Sequence, residues 1–287
     1  MAKKEGPYTG RRIGDYDTGY MIGEGQFGQV YEVTKRDKQF AMKLGIQNRK
    51  FGGGVPDGTT TRSDINAREA MIMQTLSKHT NIMTIHHFGD VMLDRHHVPY
   101  MVMDLAPYGS MEDYCPIGTK LSLAQVSNYV GQIASALQYA HDKAIVHHDV
   151  KPANLLLGRN REILLSDFGV AEESHYTRRG GSEIIWNAGT PSYMPPEQLS
   201  QGYSHKSGDQ YALALITYQW LTGYFPFKSN QMKRAGNAQA ISSLASVRPR
   251  VDQIVARAMA VDEGERYPNV RDFANMLAGE ITPWSTP

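Results

Sequence analysis

The sequence predicts an α+β fold in two parts, a sheet-rich first part and a mostly helical second part. Residues 20–44 and 81–105 contain short runs rich in β-branched and aromatic residues, separated by polar turns, which is typical of antiparallel strands. In the second part apolar residues recur at helical spacing, most clearly over 123–142. We therefore divide the chain into a first part, 1–105, and a second part, 106–287.

The first part is predicted to form strands, a connector and one main helix. The runs YMIGEG, QVYEVTK and QFAMKLG predict three strands, and the polar turn Arg36-Asp37-Lys38 separates the last two. Three consecutive glycines and a threonine run make 45–63 a connector. A helix is predicted from about Asp64 to Lys78, and its apolar face carries one carboxylate. The residues on this face are Ile65, Glu69, Ile72, Met73 and Leu76.

The second part is predicted to form several helices around a central one. The segment 209–221 is apolar on nearly all faces, which is typical of a helix buried inside a domain. The segments 123–142, 251–260 and 269–278 are amphipathic, so each is expected to pack one face against that core.

Composition narrows the classes of function. The 287 residues carry a net charge of +1, which gives no indication of nucleic-acid binding. The amino terminus shows no signal peptide, and the longest apolar stretch is shorter than the roughly 20 residues that span a bilayer. The single cysteine, Cys115, fits a reducing compartment. We therefore expect a cytoplasmic protein without a membrane segment in this chain, and leave open an anchor beyond Pro287.

Gly23, Gly25 and Gly28 form a GxGxxG pattern, which is a weak signal when it stands alone. In a dinucleotide-binding protein a helix follows this pattern, whereas here the strand-like run QVYEVTK follows it. The pattern therefore predicts a hairpin, where glycines let backbone N–H groups approach phosphate oxygens. A plain tight hairpin is the alternative.

Lys43 lies on a predicted strand among apolar neighbours, and Glu69 lies on the apolar face of the predicted helix. A buried carboxylate is costly unless a cation pairs with it. The sequence therefore predicts a Lys43–Glu69 ion pair that holds the ammonium near a phosphate. The alternative is that Glu69 extends to solvent at the edge of the helix face.

The segments IVHHDVKPANLLL and REILLSDFG contain the pattern H-x-D-x-K-x-x-N followed by D-F-G. With the glycine loop and its lysine, this pattern resembles the eukaryotic-type protein kinase family over about Ile22 to Leu277. It is most similar to the serine/threonine branch, and the closing segment AVDEGERYPNVRDFANML is most similar to bacterial serine/threonine kinases. The resemblance implies a bilobal fold, with 1–105 as the ATP-binding N-lobe and 106–287 as the C-lobe.

The resemblance implies roles for the residues of the pattern. Asp149 is expected to accept the proton of the incoming hydroxyl, and Lys151 to neutralise the transferring phosphoryl group. Asn154 and Asp167 are expected to hold Mg²⁺, or Mn²⁺, through oxygen ligands. Lys43 is expected to hold the phosphates of ATP.

The resemblance also implies a nucleotide site. Met103 is the expected gatekeeper, 104–106 the hinge that reads adenine, and Val30, Ala41 and Leu156 the residues that sandwich the purine. The full expected set is Ile22, Gly23, Glu24, Gly25, Gln26, Phe27, Gly28, Gln29, Val30, Ala41, Lys43, Glu69, Met103, Asp104, Ala106 and Leu156.

Other residues match supporting positions of the family. Asp209 is expected to accept backbone N–H groups of the catalytic loop, and Glu197 to form a buried ion pair with Arg266. Thr190 is expected to bond the catalytic Asp149 and Lys151, as in the serine/threonine branch. A phosphorylation site is the alternative reading of Thr190.

Two positions depart from the family pattern. His148 stands where the family usually has arginine, the residue that reads a phosphate on the activation segment. Histidine is mostly neutral at pH 7 and offers no bidentate fork. We therefore hypothesise that activity does not require a phosphorylated segment. The second departure, PPE at 195–197 in place of APE, is minor.

The sequence thus predicts an ATP- and Mg²⁺-dependent kinase that phosphorylates serine and threonine hydroxyls of proteins. Autophosphorylation through self-association is a further expectation. A pseudokinase that acts as a binding scaffold is the first alternative, but Lys43, Asp149, Asn154 and Asp167 are all present. A small-molecule phosphotransferase is the second, and normally lacks the D-F-G glycine and the Glu197–Arg266 partners.

Overall fold

The computed structural model describes residues 3–25, 28–45, 62–168, 172–173, 191–201, 205–227, 229, 232–233 and 236–281. The chain divides into two units. The first unit is Met1–Gly109 with Leu157–Gly169, and the second is Ser110–Leu156 with Val170–Pro287. The division into lobes at residue 106 stays a prediction.

Six antiparallel strands form the sheet of the first unit, in the order β1-β2-β3-β4-β6-β5. Their bounds are Arg12–Ile13, Tyr16–Gly25, Gly28–Lys35, Lys38–Leu44, Ile85–Leu93 and His96–Asp104 for β1 to β6. The strands predicted over 20–44 and 81–105 are confirmed. Arg36 and Asp37, at the tip of the β3–β4 hairpin, both have positive φ, as does the pair Asp94 and Arg95. Two consecutive residues with positive φ give a two-residue turn the same twist as the strands that it joins.

Helix α1 (Arg62–Leu76) packs against β5 and β6 and begins two residues before the predicted start. The sheet is stabilised by a cluster of buried apolar side chains to which all six of its strands contribute. This cluster contains Tyr8, Ile13, Tyr16, Met21, Tyr31, Val33, Met42, Leu44, Leu93, Val98 and Val102.

A later segment, Leu157–Gly169, returns to the first unit. It contains the end of β8 (Leu155–Leu157) and all of β9 (Ile163–Leu165). The backbone of Leu165 donates to the carbonyl of Asn81 at 2.9 Å and accepts from the N–H of Met83 at 2.9 Å. These bonds bring Asp167, two residues after β9, into the unit that holds Lys43.

The second unit is mainly helical. Within its described residues the helices are α2 (Met111–Tyr114), α3 (Leu123–Asp142), α4 (Pro196–Gln201), α5 (Lys206–Thr222), α6 (Pro249–Ala258) and α7 (Val270–Ala278). Short strands β7 (Ile145–Val146) and β10 (Glu172–Glu173) pair antiparallel. The predicted helix 123–142 is confirmed with the same bounds, and it starts at a capping box formed by Ser122 and Gln125.

Helix α5 lies at the centre of the second unit. All its residues from Gly208 to Thr222 are buried, as its apolar sequence predicts. It packs against α3, α6 and α7, and it ends at Gly223, whose φ of 82° is the left-handed conformation that favours glycine. Within the described part of the chain, no helix has the length and apolar character needed to cross a bilayer.

We expect Gly28→Ala to destabilise the first unit, because Gly28 has φ of 135° and a Cβ there would collide with the carbonyl oxygen of Leu44. The expected loss in free energy of unfolding is about 1–3 kcal/mol. The matched control is Gly25→Ala, because a Cβ at Gly25 meets open space and the change should stay within about 1 kcal/mol. Urea unfolding of the two variants tests this, and equal losses would contradict it.

Candidate active site

The glycine pattern lies on the β2–β3 hairpin. Gly23 is opposite Val30, and Gly25 is opposite Gly28. A strand rather than a helix follows the pattern, so the predicted hairpin is confirmed. Two residues predicted for this loop, Gln26 and Phe27, lie outside the described residues.

Glu24 and Gln29 contact each other beside the tip of this hairpin. The amide nitrogen of Gln29 donates to Glu24 Oε1 at 3.2 Å, and Lys4 Nζ contacts Glu24 Oε2 at 3.1 Å. Ile22 and Val30 are half-buried, so part of each apolar side chain remains exposed. The described part of the hairpin thus carries a polar pair near its tip and two half-buried apolar side chains.

The predicted adenine-binding residues of the first unit lie on neighbouring strands. Ala41 on β4 is paired with Met103 on β6, and both are buried. Asp104, the last residue of β6, donates its N–H to the carbonyl of Thr84 at 3.1 Å. Ala106, two residues later, is also buried. The expected gatekeeper and hinge residues are therefore at the end of one strand, next to the strand that carries Lys43.

Lys43 is the centre of the charged cluster of the first unit. Its Nζ lies 3.0 and 2.8 Å from the two carboxylate oxygens of Glu69 and 3.0 Å from Oδ1 of Asp167. Glu69 is only 3% exposed, so the alternative in which it extends to solvent is wrong. Strand β4, helix α1 and the segment after β9 each supply one member of the cluster.

Burial and the neighbouring charges both shift the pKa values of Lys43 and Glu69. Burial alone lowers the pKa of Lys43, but the negative charges of Asp167 and Glu69 outweigh it and raise the pKa above its ordinary value. Burial raises the pKa of Glu69, and the nearby Asp167 carboxylate adds to this rise while Lys43 opposes it. The ammonium is therefore firmly charged, and the two carboxylates compete for it.

Asp209 organises the backbone of the predicted catalytic loop in the second unit. Its Oδ2 and Oδ1 accept the N–H groups of His147 and His148, each at 2.9 Å. Oδ2 also lies 2.7 Å from Nε2 of His141, which must be the donor because an ionised carboxylate only accepts. Burial alone raises the pKa of Asp209. The hydrogen bond from His141 and the positive charge of that histidine outweigh burial and bring the pKa of Asp209 to about 2.

Asp149 follows directly on this anchored loop. Its Oδ2 lies 2.7 Å from Nζ of Lys151 and accepts the side-chain amide of Asn154 at 3.1 Å. The same amide donates to the carbonyl of Asp149 at 2.8 Å. A 3₁₀ turn, Pro152–Asn154, brings Asn154 back towards the aspartate. Asp149, Lys151 and Asn154 therefore form one constellation on a single loop.

His148 is buried at 8% exposure and has φ of 65°. Burial lowers the pKa of His148 to about 4, although the Asp209 charge opposes the shift. The imidazole is therefore neutral at pH 7 and has no charge with which to bind a phosphate. Thr190 and the hydroxyl-rich part of the activation segment, 174–190, lie outside the described residues.

Glu197 and Arg266 form the predicted ion pair in bidentate geometry. Nη1 and Nη2 of Arg266 each lie 2.8 Å from one oxygen of Glu197. Arg266 also donates to the carbonyls of Ser207 and Ala260 at 3.0 and 2.9 Å. The guanidinium therefore connects the start of α4 to α5 and to the chain before α7.

The predicted site residues fall into two groups, each described by itself. The first unit holds the glycine hairpin, Lys43, Glu69, the 103–106 segment and Asp167. The second holds Asp149, Lys151, Asn154 and Leu156. Their catalytic and binding roles stay predictions.

His141, on the buried face of α3, is a functional residue that the sequence alone did not reveal. A histidine on the buried face of a helix is itself a signal, because a buried polar group needs a partner. The partner, Asp209, lies 68 positions along the chain, so the sequence did not identify it.

Residues 16–276 match the family described as "Protein kinase domain". Among curated proteins, the chain is 29% identical over 233 residues to Aurora kinase A-A of Xenopus laevis, which covers 80% of this chain and 53% of that protein. It is 27% identical over 270 residues to Aurora/IPL1-related protein kinase 2 of Caenorhabditis elegans, with 92% and 82% covered. The chain spans about half the length of the first of these relatives.

The chain is also similar to a plant protein kinase in sequence and to a bacterial kinase domain in structure. CBL-interacting protein kinase 8 of Oryza sativa subsp. japonica is 31% identical over 220 residues, with 76% of this chain and 46% of that protein covered. A crystal structure of the Mycobacterium tuberculosis PknI kinase domain superposes with a TM-score of 0.70 at 23% identity, over 96% of this chain and 99% of that chain. At this identity the likeness shows the fold alone.

We expect Lys43→Met to lower the free energy of unfolding by about 3–5 kcal/mol, because it leaves the buried Glu69 carboxylate without its cation. The double variant K43M/E69L removes both charges, and most of the lost stability should return. Urea unfolding at pH 7 of the single and double variants measures the difference. A double variant that is as unstable as K43M would contradict the role assigned to this pair.

Proposed function

The chain belongs to the protein kinase family, and on that premise we propose that it transfers the γ-phosphate of ATP to serine and threonine hydroxyls of proteins. The constellation of Asp149, Lys151 and Asn154, on a loop anchored by Asp209, is the observation that carries the proposal.

Asp149 is proposed to orient the acceptor hydroxyl and take its proton as the hydroxyl oxygen bonds to the γ-phosphorus and ADP leaves. The contacts to Lys151 and Asn154 support this role because they hold the carboxylate in one orientation. The transition state is highly charged, so catalysis depends mainly on positioning and on cations. Lys151 supplies such a cation beside the aspartate.

ATP is the expected phosphate donor, since the protein kinase family uses ATP with a divalent metal ion. The β2–β3 hairpin supports binding of the phosphates, because glycine positions expose backbone N–H groups without Cβ atoms. Lys43, held by Glu69, would contact the phosphates, and Ala41 with Met103 would adjoin the purine.

Mg²⁺, or Mn²⁺, is the expected metal, and Asn154 and Asp167 would hold it. The fit is supported by the donor set, because Mg²⁺ prefers oxygen ligands. Within the described residues no cluster of three or more His, Cys, Asp or Glu would hold a metal by itself. Mg²⁺ typically binds through one or two protein carboxylates together with substrate phosphates, which matches this set. The metal would supply positive charge to the phosphates when bound.

The proposed preference for serine and threonine rests on Lys151, because a lysine two residues after the catalytic aspartate resembles the serine/threonine branch. Thr190, which would support the same preference, lies outside the described residues. Autophosphorylation between two copies of the chain is part of the proposal. A cytoplasmic location is also proposed, because the chain has a single cysteine, Cys115, and therefore cannot form an internal disulfide.

We expect Asp149→Asn to lower kcat for transfer of labelled phosphate to a generic protein acceptor by about 10²–10⁴-fold, the usual contribution of a general base. The matched control is Asp142→Asn, the same change at an exposed residue at the end of α3. The assay uses Mg²⁺ or Mn²⁺, followed by phosphoamino-acid analysis. Equal labelling with wild type and D149N, or no labelling with either, would overturn the assignment, and label on tyrosine alone would overturn the substrate preference.

We expect phosphatase treatment to leave most of the activity in place, because the neutral, buried His148 offers no charge to a loop phosphate. The treated protein and an untreated sample are assayed at pH 7 with the same acceptor, and mass spectrometry verifies that phosphate has been removed. Loss of nearly all activity, with recovery that follows one phosphosite of the activation segment, would contradict this expectation.

A further inference from the structure

Lys233 is a buried lysine that the proposed chemistry does not use. It is 4% exposed. Its Nζ donates to the carbonyl oxygens of Pro191, Ser192 and Met194 at 3.1, 2.7 and 3.1 Å. An ammonium has three N–H donors, so these contacts use all of them.

This arrangement is unusual because a charge is buried without an opposite charge. No described carboxylate forms an ion pair with Lys233, whereas Lys43 and Lys151 each contact at least one. Burial of an ammonium is costly unless its donors are satisfied. Three carbonyls from four consecutive residues satisfy them here, so the lysine and this backbone conformation depend on each other.

The segment 191–194 adjoins the proposed catalytic residue. Tyr193 and Met194 line the same small cavity as Asp149 and Val150. The buried hydroxyl of Tyr193 donates to Gln219 on α5 at 2.9 Å, which fixes this side of the segment. The conformation of 191–194 therefore determines what lies beside Asp149.

The other side of the segment faces solvent. The side chains of Pro191 and Ser192 are exposed, while Lys233 holds their carbonyl groups from within. A segment with an exposed edge, a fixed backbone and a position beside Asp149 is suited to contact an extended polypeptide.

We propose that Lys233 is a positioning residue for the protein acceptor: by binding the three carbonyls it holds segment 191–194 in the conformation that receives the acceptor polypeptide beside Asp149. The inference rests on the proposed kinase function and adds to it a residue that sets acceptor binding. It assigns Lys233 no contact with ATP.

The protonation state of Lys233 gives the inference a second readout. Burial lowers the pKa of Lys233 to about 8 from 10.5. The neutral amine has two N–H donors and a lone pair, so one of the three carbonyls loses its bond and meets a lone pair instead. The hold on 191–194 should therefore weaken as the pH rises through about 8.

Global unfolding would not cause such a change. The folded pKa is below the unfolded one, so between pH 8 and 10.5 the unfolded chain binds more protons at this site, and its contribution to the free energy of unfolding rises with pH. No described charged side chain adds to the pKa shift of Lys233. The titratable group on the held segment, Tyr193, has its pKa raised by burial and stays neutral over this range.

The test compares KM for a protein acceptor with KM for ATP in Lys233→Met and Lys233→Arg. We expect K233M to raise KM for the acceptor at least roughly tenfold, about 1.4 kcal/mol, with KM for ATP within about twofold of wild type. K233R keeps the charge and should restore most of the acceptor binding. The control is Lys120→Met, which removes an exposed lysine that donates to one carbonyl, that of Leu244, and should change neither value.

The pH profile keeps the test decisive if K233M does not fold. In wild type, KM for the acceptor should rise above about pH 8, whereas in K233R it should stay level because arginine keeps its proton. A folded K233M with unchanged acceptor KM, equal changes in both KM values, or identical pH profiles for wild type and K233R would overturn the inference. Absence of Asp149-dependent transfer in wild type would instead overturn the proposed function, and the inference with it.

Discussion

The proposed catalytic loop depends on the hydrogen bonds that the carboxylate of Asp209 accepts. Asp209 is 2% exposed, and its carboxylate accepts two consecutive backbone N–H groups, those of His147 and His148, together with Nε2 of His141. Those bonds offset the cost of burying the charge and fix the loop one residue before Asp149. Because Asp209 lies on α5, the most buried helix of the second unit, the loop takes its position from the core.

Buried charges elsewhere are stabilised in three different ways, and each way suits a different task. Lys43 has two carboxylates that compete for it, an arrangement that a bound metal and phosphates can change. Arg266 has a bidentate carboxylate and two carbonyls, an arrangement with few alternatives, as expected of a purely structural link. Lys233 has carbonyls alone, so it shapes a backbone segment without fixing a second charged side chain.

His148 keeps the backbone contact of its position in the loop but has no charged side chain. Its backbone N–H is bonded to Asp209, so the loop keeps its anchor. Its side chain, however, is buried and neutral at pH 7 because its pKa is lowered to about 4. An arginine in its place would carry a charge at every physiological pH. The position therefore retains its structural part without the phosphate-binding part that the family pattern implies.

Prediction from the sequence succeeded where the signal is local. The periodicity of 123–142 gave the bounds of α3, because side chains repeating every 3.6 residues report the local backbone directly. The strand-like run after Gly28 predicted the hairpin, and the position of Glu69 on an apolar face predicted its partner Lys43. The family pattern gave Asp149, Lys151 and Asn154 as one set.

Contacts between distant parts of the chain could not be read in this way. His141 and Asp209 are 68 positions apart, and Lys233 reaches carbonyls about 40 positions away, which have no side-chain signature at all. Leu157–Gly169 joins the first unit only because its backbone bonds to Asn81 and Met83. Gly28 needs to be glycine because the carbonyl of Leu44 passes beside it. Local periodicity carries no information about which backbone groups the chain path brings together, so these features follow from packing and from the need to satisfy every buried polar group.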